Sequence, residues 1–404
     1  MIKSLNSKKP KAKPQVLSTK STDFEEELAD LNDTGLSVEE DLRKLEDENR
    51  RLRSSLRETQ RESTLFKELA QVVRQQPPFS TFAPYSFSAN KKETITESAV
   101  LVLSDSHADQ EILGKRVQDL EEYNFDVACI RAQRIVETTI THLKENMKGY
   151  NFERLYIAGL GDYVNGDIHK ATEHSKWKNA LKNAMGMGEL LAMMVTELSR
   201  HFPEIVLTSV SGNHGRRSIK KDYRGAQDNW DYMVACHAAT RLKGLIDEKR
   251  LKVFFPDSWT MGLSIYDWNF LLNHGDDIKS WNSVPWYGIE RKTRRLNAIG
   301  SVTGNTPNYF LYGHFHTLGT QQHTTGEVIL NGSWNATDEY ALESLGAYSE
   351  PYQWLFGVHP QYGVTWRLPI KLRTSGWKKE ESTTGRYSVT IFEDYAKNLD
   401  NLRM

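Results

Sequence analysis

Five apolar stretches in this chain each run directly into a short piece carrying histidine, aspartate or asparagine. That order limits the fold more than any bulk property does. The pieces are Asp105-Ser106-His107, Gly161-Asp162-Tyr163-Val164-Asn165-Gly166, Gly212-Asn213-His214, Asn273-His274-Gly275 and Gly313-His314-Phe315-His316. The stretches before them, at 99–103, 155–158, 205–210, 269–273 and 309–312, are short and rich in aliphatic and aromatic residues, as buried strands are. Amphipathic stretches of helical period lie between, at 126–147, 176–200 and 227–247. Alternating β and α units predict an α/β fold, an open sheet with helices on its faces. Ligands in such folds gather outside the carboxyl ends of strands, and all five pieces fall there. Further strand-like pieces occupy 251–255 and 262–266. Residues 320–370 are β-rich, and either extend the main sheet or form a separate cap.

The remaining organisation follows from composition. Residues 1–36 are Lys, Ser and Pro rich, then acidic, with too few large apolar residues for a core, and are expected to form a disordered tail. Residues 37–76 read as a coiled-coil helix. Leu42, Leu45, Asn49, Leu52, Leu56, Thr59, Ser63, Phe66, Ala70 and Val73 alternate by three and four, an a/d seam over 38–74. On that register Glu48 faces Arg53 and Glu62 faces Lys67 of a parallel partner, whereas Asp41 meets Glu46. A homodimer through this helix is expected; a single amphipathic helix lying on its own domain is the alternative. Pro77, Pro78 and Pro84 mark a linker over 77–97. A catalytic domain over 98–335 and a C-terminal β-rich extension or cap over 336–404 complete the chain.

Lys and Arg number 52 against 53 Asp and Glu, a net charge of −1, so a nucleic-acid contact would have to come from local patches. The two cysteines, Cys129 and Cys236, sit in apolar helical patterns and read as reduced thiols. With no run of 18 apolar residues and no apolar core in the first fifteen, the chain is expected to be cytoplasmic, without membrane contact.

The five pieces supply carboxylate, imidazole and amide ligands enough for two metal ions. Hydrolysing a phosphate ester requires hydroxide at neutral pH and cations to absorb transition-state charge, and two divalent ions a few ångströms apart provide both. Residues i and i+2 of an extended segment share a face, so Asp105 and His107 point one way, as do His314 and His316. Asp162 is the natural shared carboxylate. Histidine, carboxylate and amide ligands suit Mn²⁺, Fe or Zn²⁺ alike, and Mn²⁺ is the expected ion.

In type and order the pieces match D-x-H, G-D-x-x-[ND], G-N-H, H-G and G-H-x-H. Over roughly residues 98–335 the chain thereby resembles the calcineurin-like metallophosphoesterase superfamily. That resemblance implies a β-sandwich flanked by helices. It implies one ion held by Asp105, His107 and His316 and a second by Asn213, His274 and His314, with Asp162 bridging. It also makes His214 the group that protonates the leaving oxygen or stabilises charge. The phosphoprotein phosphatase branch reads GDxVDRG and GNHE, where this chain has Asn165, Gly166 and Gly215. A protein Ser/Thr phosphatase is therefore not expected, and Asn165 is left to hold His214 through its amide.

Basic residues follow two of the blocks: Arg216, Arg217, Lys220, Lys221 and Arg224 after His214, and Arg291, Lys292, Arg294 and Arg295 after His274. Trp281, Trp286 and Tyr287 precede the second group. Cations beside flat rings suit a nucleic-acid backbone with unstacked bases. Arg216, Arg217, Arg291, Arg294 and Arg295 are the candidate substrate-binding residues. The expected activity is a metal-dependent phosphodiesterase, a DNA exo- or endonuclease similar to double-strand-break-repair nucleases. Residues 338–341 are also similar to phosphoesterases carried by tailed phages. A small-substrate phosphatase or nucleotide phosphodiesterase, and a coiled-coil scaffold that binds nucleic acid, remain open.

Overall fold

The computed structural model describes residues 38–75, 94–168, 171–279, 284–324, 326–374 and 386–391. They fall in two units, one within residues 1–89 and one within 90–404. The expected tail over 1–36 and most of the expected linker lie outside the described residues. In the first unit Val38–Gln75 form a single helix, α1.

The second unit begins with β1 (Ile95–Leu103), α2 (Phe125–Ile140), β2 (Tyr150–Gly159), α3 (Ala180–Ser199) and β3 (Glu204–Ser209). Next come α4 (Trp230–Arg241), α5 (Lys243–Asp247), β4 (Leu251–Phe254), β5 (Thr260–Ile265) and β6 (Trp268–Asn273). The chain continues through α6 (Trp286–Thr303), β7 (Tyr309–Tyr312), β8 (Gly319–His323) and β9 (Gly326–Leu330). It ends with α7 (Glu339–Leu345), β10 (Tyr352–His359) and β11 (Gly363–Lys371). Asn124, Asn179 and Asn229 start α2, α3 and α4 by accepting first-turn N–H groups with their side chains.

Two mixed sheets result. One has the order β11-β10-β1-β2-β3-β4 and the other β5-β6-β7-β9-β8. Strands β1 to β4 are mutually parallel, as are β6, β7 and β9, so their carboxyl ends, and the blocks attached to them, emerge at one rim of each sheet. Alternation along β1 shows why both faces are apolar. Ala99, Leu101 and Leu103 pack with Ala128, Ile135, Leu190 and Val195 of the covering helices. Val100 and Val102 point the other way, into a core shared with Phe270, Leu311 and Phe356. On β7, Leu311 faces that core, whereas Phe310 and Tyr312 pack with Ile289 of α6. The layers are thus helix, sheet, sheet, helix, the α/β sandwich expected from the sequence.

Strands β10 and β11 pair antiparallel beside β1. The C-terminal strands β10 and β11 therefore extend the main sheet. Strand β1 starts at Ile95, inside the expected linker, because Ile95 to Glu97 already pair with β2. The helix expected over 227–247 divides at Leu242 into α4 and α5.

A wholly buried ion pair ties the extension to the site. Glu121 and Arg131 meet at 3.0 Å with both side chains inaccessible. Arg373 lies 3.7 Å from the same carboxylate. Glu121 also accepts the Ala336 N–H at 2.6 Å, and Arg131 donates to the Trp334 carbonyl. Removing one member of such a cluster strands buried charge. Glu121→Ala is expected to cost about 3–5 kcal/mol, read as a lower denaturation midpoint in urea; a loss below about 1 kcal/mol would show that the cluster does not hold the 334–336 segment.

Candidate metal centre

The carboxyl ends of β1, β2, β3, β6 and β7 bring Asp105, His107, Asp162, Asn213, His214, His274, His314 and His316 together. Donor atoms of Asp105, His107 and His316 lie within 4.8 Å of one another. So do those of Asp162, His274 and His314, and those of His107, Asp162 and His214. Asn213 joins the second group, its Oδ1 standing 2.9 Å from His274 Nε2. The seven residues named as candidate ligands thus lie side by side, and His214 stands among them in a third, overlapping group.

The backbone is bent to achieve this. Asp105, His107, Asp162, His314 and His316 have φ of 52°, 40°, 54°, 67° and 50°, half of the ten non-glycine residues with positive φ among the described residues. Each left-handed non-glycine residue costs about 1–3 kcal/mol, a cost borne here at the candidate ligands. The block glycines permit the close approach of neighbouring strand ends. A Cβ on Gly161 would stand 2.2 Å from Gly212 N, and one on Gly313 would stand 2.7 Å from Asp105 Oδ2.

The contacts around the imidazoles aim them inward. Asn165 Oδ1 lies 2.6 Å from His107 Nδ1, leaving His107 Nε2 to face His316 Nε2 at 3.1 Å. Leu160 O lies 2.8 Å from His274 Nδ1, so His274 Nε2 faces Asp162 Oδ2 at 2.8 Å. That Asp162 oxygen is buried and accepts no hydrogen bond in proper geometry. The other, Oδ1, takes the His214 backbone N–H at 2.8 Å. His314 N donates to Asp105.

Asn165 thus orients His107. The amide expected to hold His214 has its oxygen against His107, on the β1 side. His214 instead lies edge-on to His107, ring centres 4.8 Å apart.

Charge in the cluster is balanced by protons. Burial alone would raise Asp162, but the charges of His274 and His214 hold it well below the ordinary carboxylate value. Burial likewise opposes the lowering of Asp105, and contact with His316 wins. Burial would lower His274, yet Asp162 pushes it up to about 10. His107 falls to about 3, first through burial and then through the His214 and His316 charges. His314 falls to about 4 through burial and the His274 charge. Imidazoles packed this closely repel one another's protons and share two carboxylates. The buried Asp162 oxygen and this mixed set of oxygen and nitrogen donors fit divalent cations.

Several supporting residues had no sequence signal. Asp231 accepts the N–H groups of Asp162 and Gly212, both at 2.8 Å, and of Tyr163 at 2.9 Å, clamping the ends of β2 and β3 together. In sequence it looks like an ordinary first-turn acid after the Asn229 cap. Asp109 accepts Asn165 N at 2.6 Å and Asn183 Nδ2 at 3.1 Å. Past β9, Trp334 N and Ser333 Oγ both donate to the Asp105 carbonyl at 3.0 Å.

The candidate substrate-binding arginines are spread more widely. Arg216 is half-buried and donates to Asn213 O. Arg217 pairs with Asp228 and Arg294 with Glu290. Arg291 and Arg295 are exposed on α6, with Trp286 and Tyr287 exposed at its start. Lys292 ties that helix to Asn273 and Asp277 beside His274. Lys221 is taken up by Asp276 at 2.7 Å. Trp281 lies outside the described residues. A cleft of about 320 Å³ opens at Asn165, lined also by Gln110, Arg116, His174 and Glu339.

No protein family and no curated protein matches the sequence. Among solved structures, it is similar to a novel archaeal phosphodiesterase at 11% identity and a TM-score of 0.30, over 67% of this chain and 99% of that one. Zinc-complexed Vps29 from Entamoeba histolytica matches at 11% and 0.30, over 68% and 99%. YfcE, a phosphoesterase from E. coli, matches at 11% and 0.28, over 68% and 100%. At such scores the likenesses are slight, and function has to be reasoned from the site itself.

Asp231→Ala would leave three buried N–H groups unpaired. At about 1–3 kcal/mol for each unpaired group, a destabilisation on the order of 3–5 kcal/mol is expected in chemical denaturation. An unchanged midpoint would mean that the two strand ends hold their positions without it.

Proposed function

We propose that the protein is a metal-dependent phosphoesterase with two divalent ions. The observation that carries this reading is the convergence of two carboxylates and five imidazoles in overlapping sets around a buried Asp162 oxygen, 2.8 Å from His274 Nε2. Asp105, His107 and His316 would hold one ion, Asn213, His274 and His314 the other, with Asp162 between them. When bound, such ions supply a hydroxide at neutral pH and neutralise charge on the phosphoryl oxygens. Mn²⁺ is the proposed metal, with Fe and Zn²⁺ as competitors.

The chain's own residues then have distinct tasks. Asn165 and the Leu160 carbonyl fix the tautomer and direction of His107 and His274. His214 is the proposed catalytic residue. Its backbone is pinned by Asp162, its ring is half-buried at the cluster's edge, and an imidazole there can protonate a leaving oxygen. His214→Ala is expected to keep bound metal and lose at least 100-fold in kcat, whereas Asp162→Ala loses both metal and turnover. Metal content by mass spectrometry and hydrolysis of bis-p-nitrophenyl phosphate check this. A fully active His214→Ala would remove it from the mechanism.

For substrate, we propose a phosphodiester of nucleic-acid type, cleaved as by a DNA exo- or endonuclease. Support comes from Arg291 and Arg295 with Trp286 and Tyr287 on the exposed side of α6, a helix tied to the His274 loop. A small-ester reading is favoured by a different observation: the cleft at Asn165 has room for one small moiety and is lined by Glu111 and Glu339 as well as Arg116. The free thiols fit a reducing, cytoplasmic setting. Replacing Arg291 and Arg295 by alanine is expected to weaken DNA binding and lower the salt slope by about 2, with small-ester hydrolysis unchanged. DNA binding and cleavage that ignore both substitutions would favour the small-ester reading.

A further inference from the structure

Helix α1 carries a leucine seam that nothing described in its own unit covers. Leu42, Leu45, Leu52 and Leu56 are 53%, 63%, 64% and 59% exposed, at the three- and four-residue steps that place side chains on one stripe. The helix is 38 residues long, about 57 Å at 1.5 Å per residue.

We infer that α1 pairs with α1 of a second copy of this chain, parallel and in register. Asn49 lies in the middle of the leucine row, at an a position, and is exposed. In register it meets its own counterpart, amide to amide. Against a leucine its amide would be buried without a partner. The charges flanking the seam point the same way: Glu48 at g reaches the partner's Arg53 at e. An antiparallel pair that matched Asn49 with the polar Thr59 would instead bring Arg53 beside the partner's Arg53. A lipid surface suits the helix poorly, because Arg43, Lys44, Glu46, Asp47, Glu48, Arg50 and Arg51 crowd around the seam.

Light scattering on the full chain tests the pairing, and a mass about twice 46.4 kDa is expected. The double substitution Leu45→Glu and Leu52→Glu should halve that mass. Both side chains are exposed in the single chain, so hydrolysis by the second unit should not change. In a Cys236→Ser background, Asn49→Cys should form an interchain disulfide on mild oxidation. A wild-type mass of one chain at micromolar concentration would overturn the pairing. A cysteine at 49 that cross-links to one at 59 but not to itself would overturn its parallel register.

Discussion

Asp162 is buried among the ends of four strands, and the positions of the other site residues are measured from it. One carboxylate oxygen takes the His214 backbone N–H, and the other faces His274. Its own N–H goes to Asp231, which also holds Gly212 and Tyr163. A carboxylate in such a place is costly unless cationic charge surrounds it. Here protonated imidazole provides that charge, and in the proposed enzyme divalent ions would. Strand ends, loop clamps and histidine protonation are therefore parts of one electrostatic problem.

The two sheets solve the placement of ligands and leave the backbone to absorb the remainder. Parallel strands deliver five polar blocks to neighbouring rims, but a strand end alone does not aim two side chains at one point. Positive φ at five of the clustered residues does so. Glycines 161, 212 and 313 let the turned segments approach closely. The layers beneath supply rigidity: alternate residues of β1 and β7 are committed to separate cores, so a register slip of one residue would send each side chain into the wrong core.

Much of this was legible in the sequence because the signals are local. Apolar runs ending in Asp105, Asp162, Asn213, His274 and His314 located the strands and the cluster. The supporting shell was not legible, since its members are ordinary in sequence. Asp231 resembles any helix-start acid, and Glu121 with Arg131 resembles a surface pair ten residues apart, yet both are wholly buried. The contact of Asn165 with His107 was hidden for a similar reason: the sequence indicates which residue is present, and only the turn's path brings its oxygen to His107. The basic runs were visible, and the pair of Arg294 with Glu290 is one turn of the same helix, but the ion pairs with Asp228, Asp276 and Asp277 come from chain segments the runs do not reveal.

In the proposed enzyme one carboxylate, Asp162, would be shared by two ion sites of different make-up. Anomalous diffraction from crystals grown with Mn²⁺ tests it directly. Two peaks are predicted, one beside Asp105, His107 and His316 and one beside Asn213, His274 and His314, with Asp162 in contact with both. A single peak, or two peaks of which one lies away from Asp162, would contradict the account.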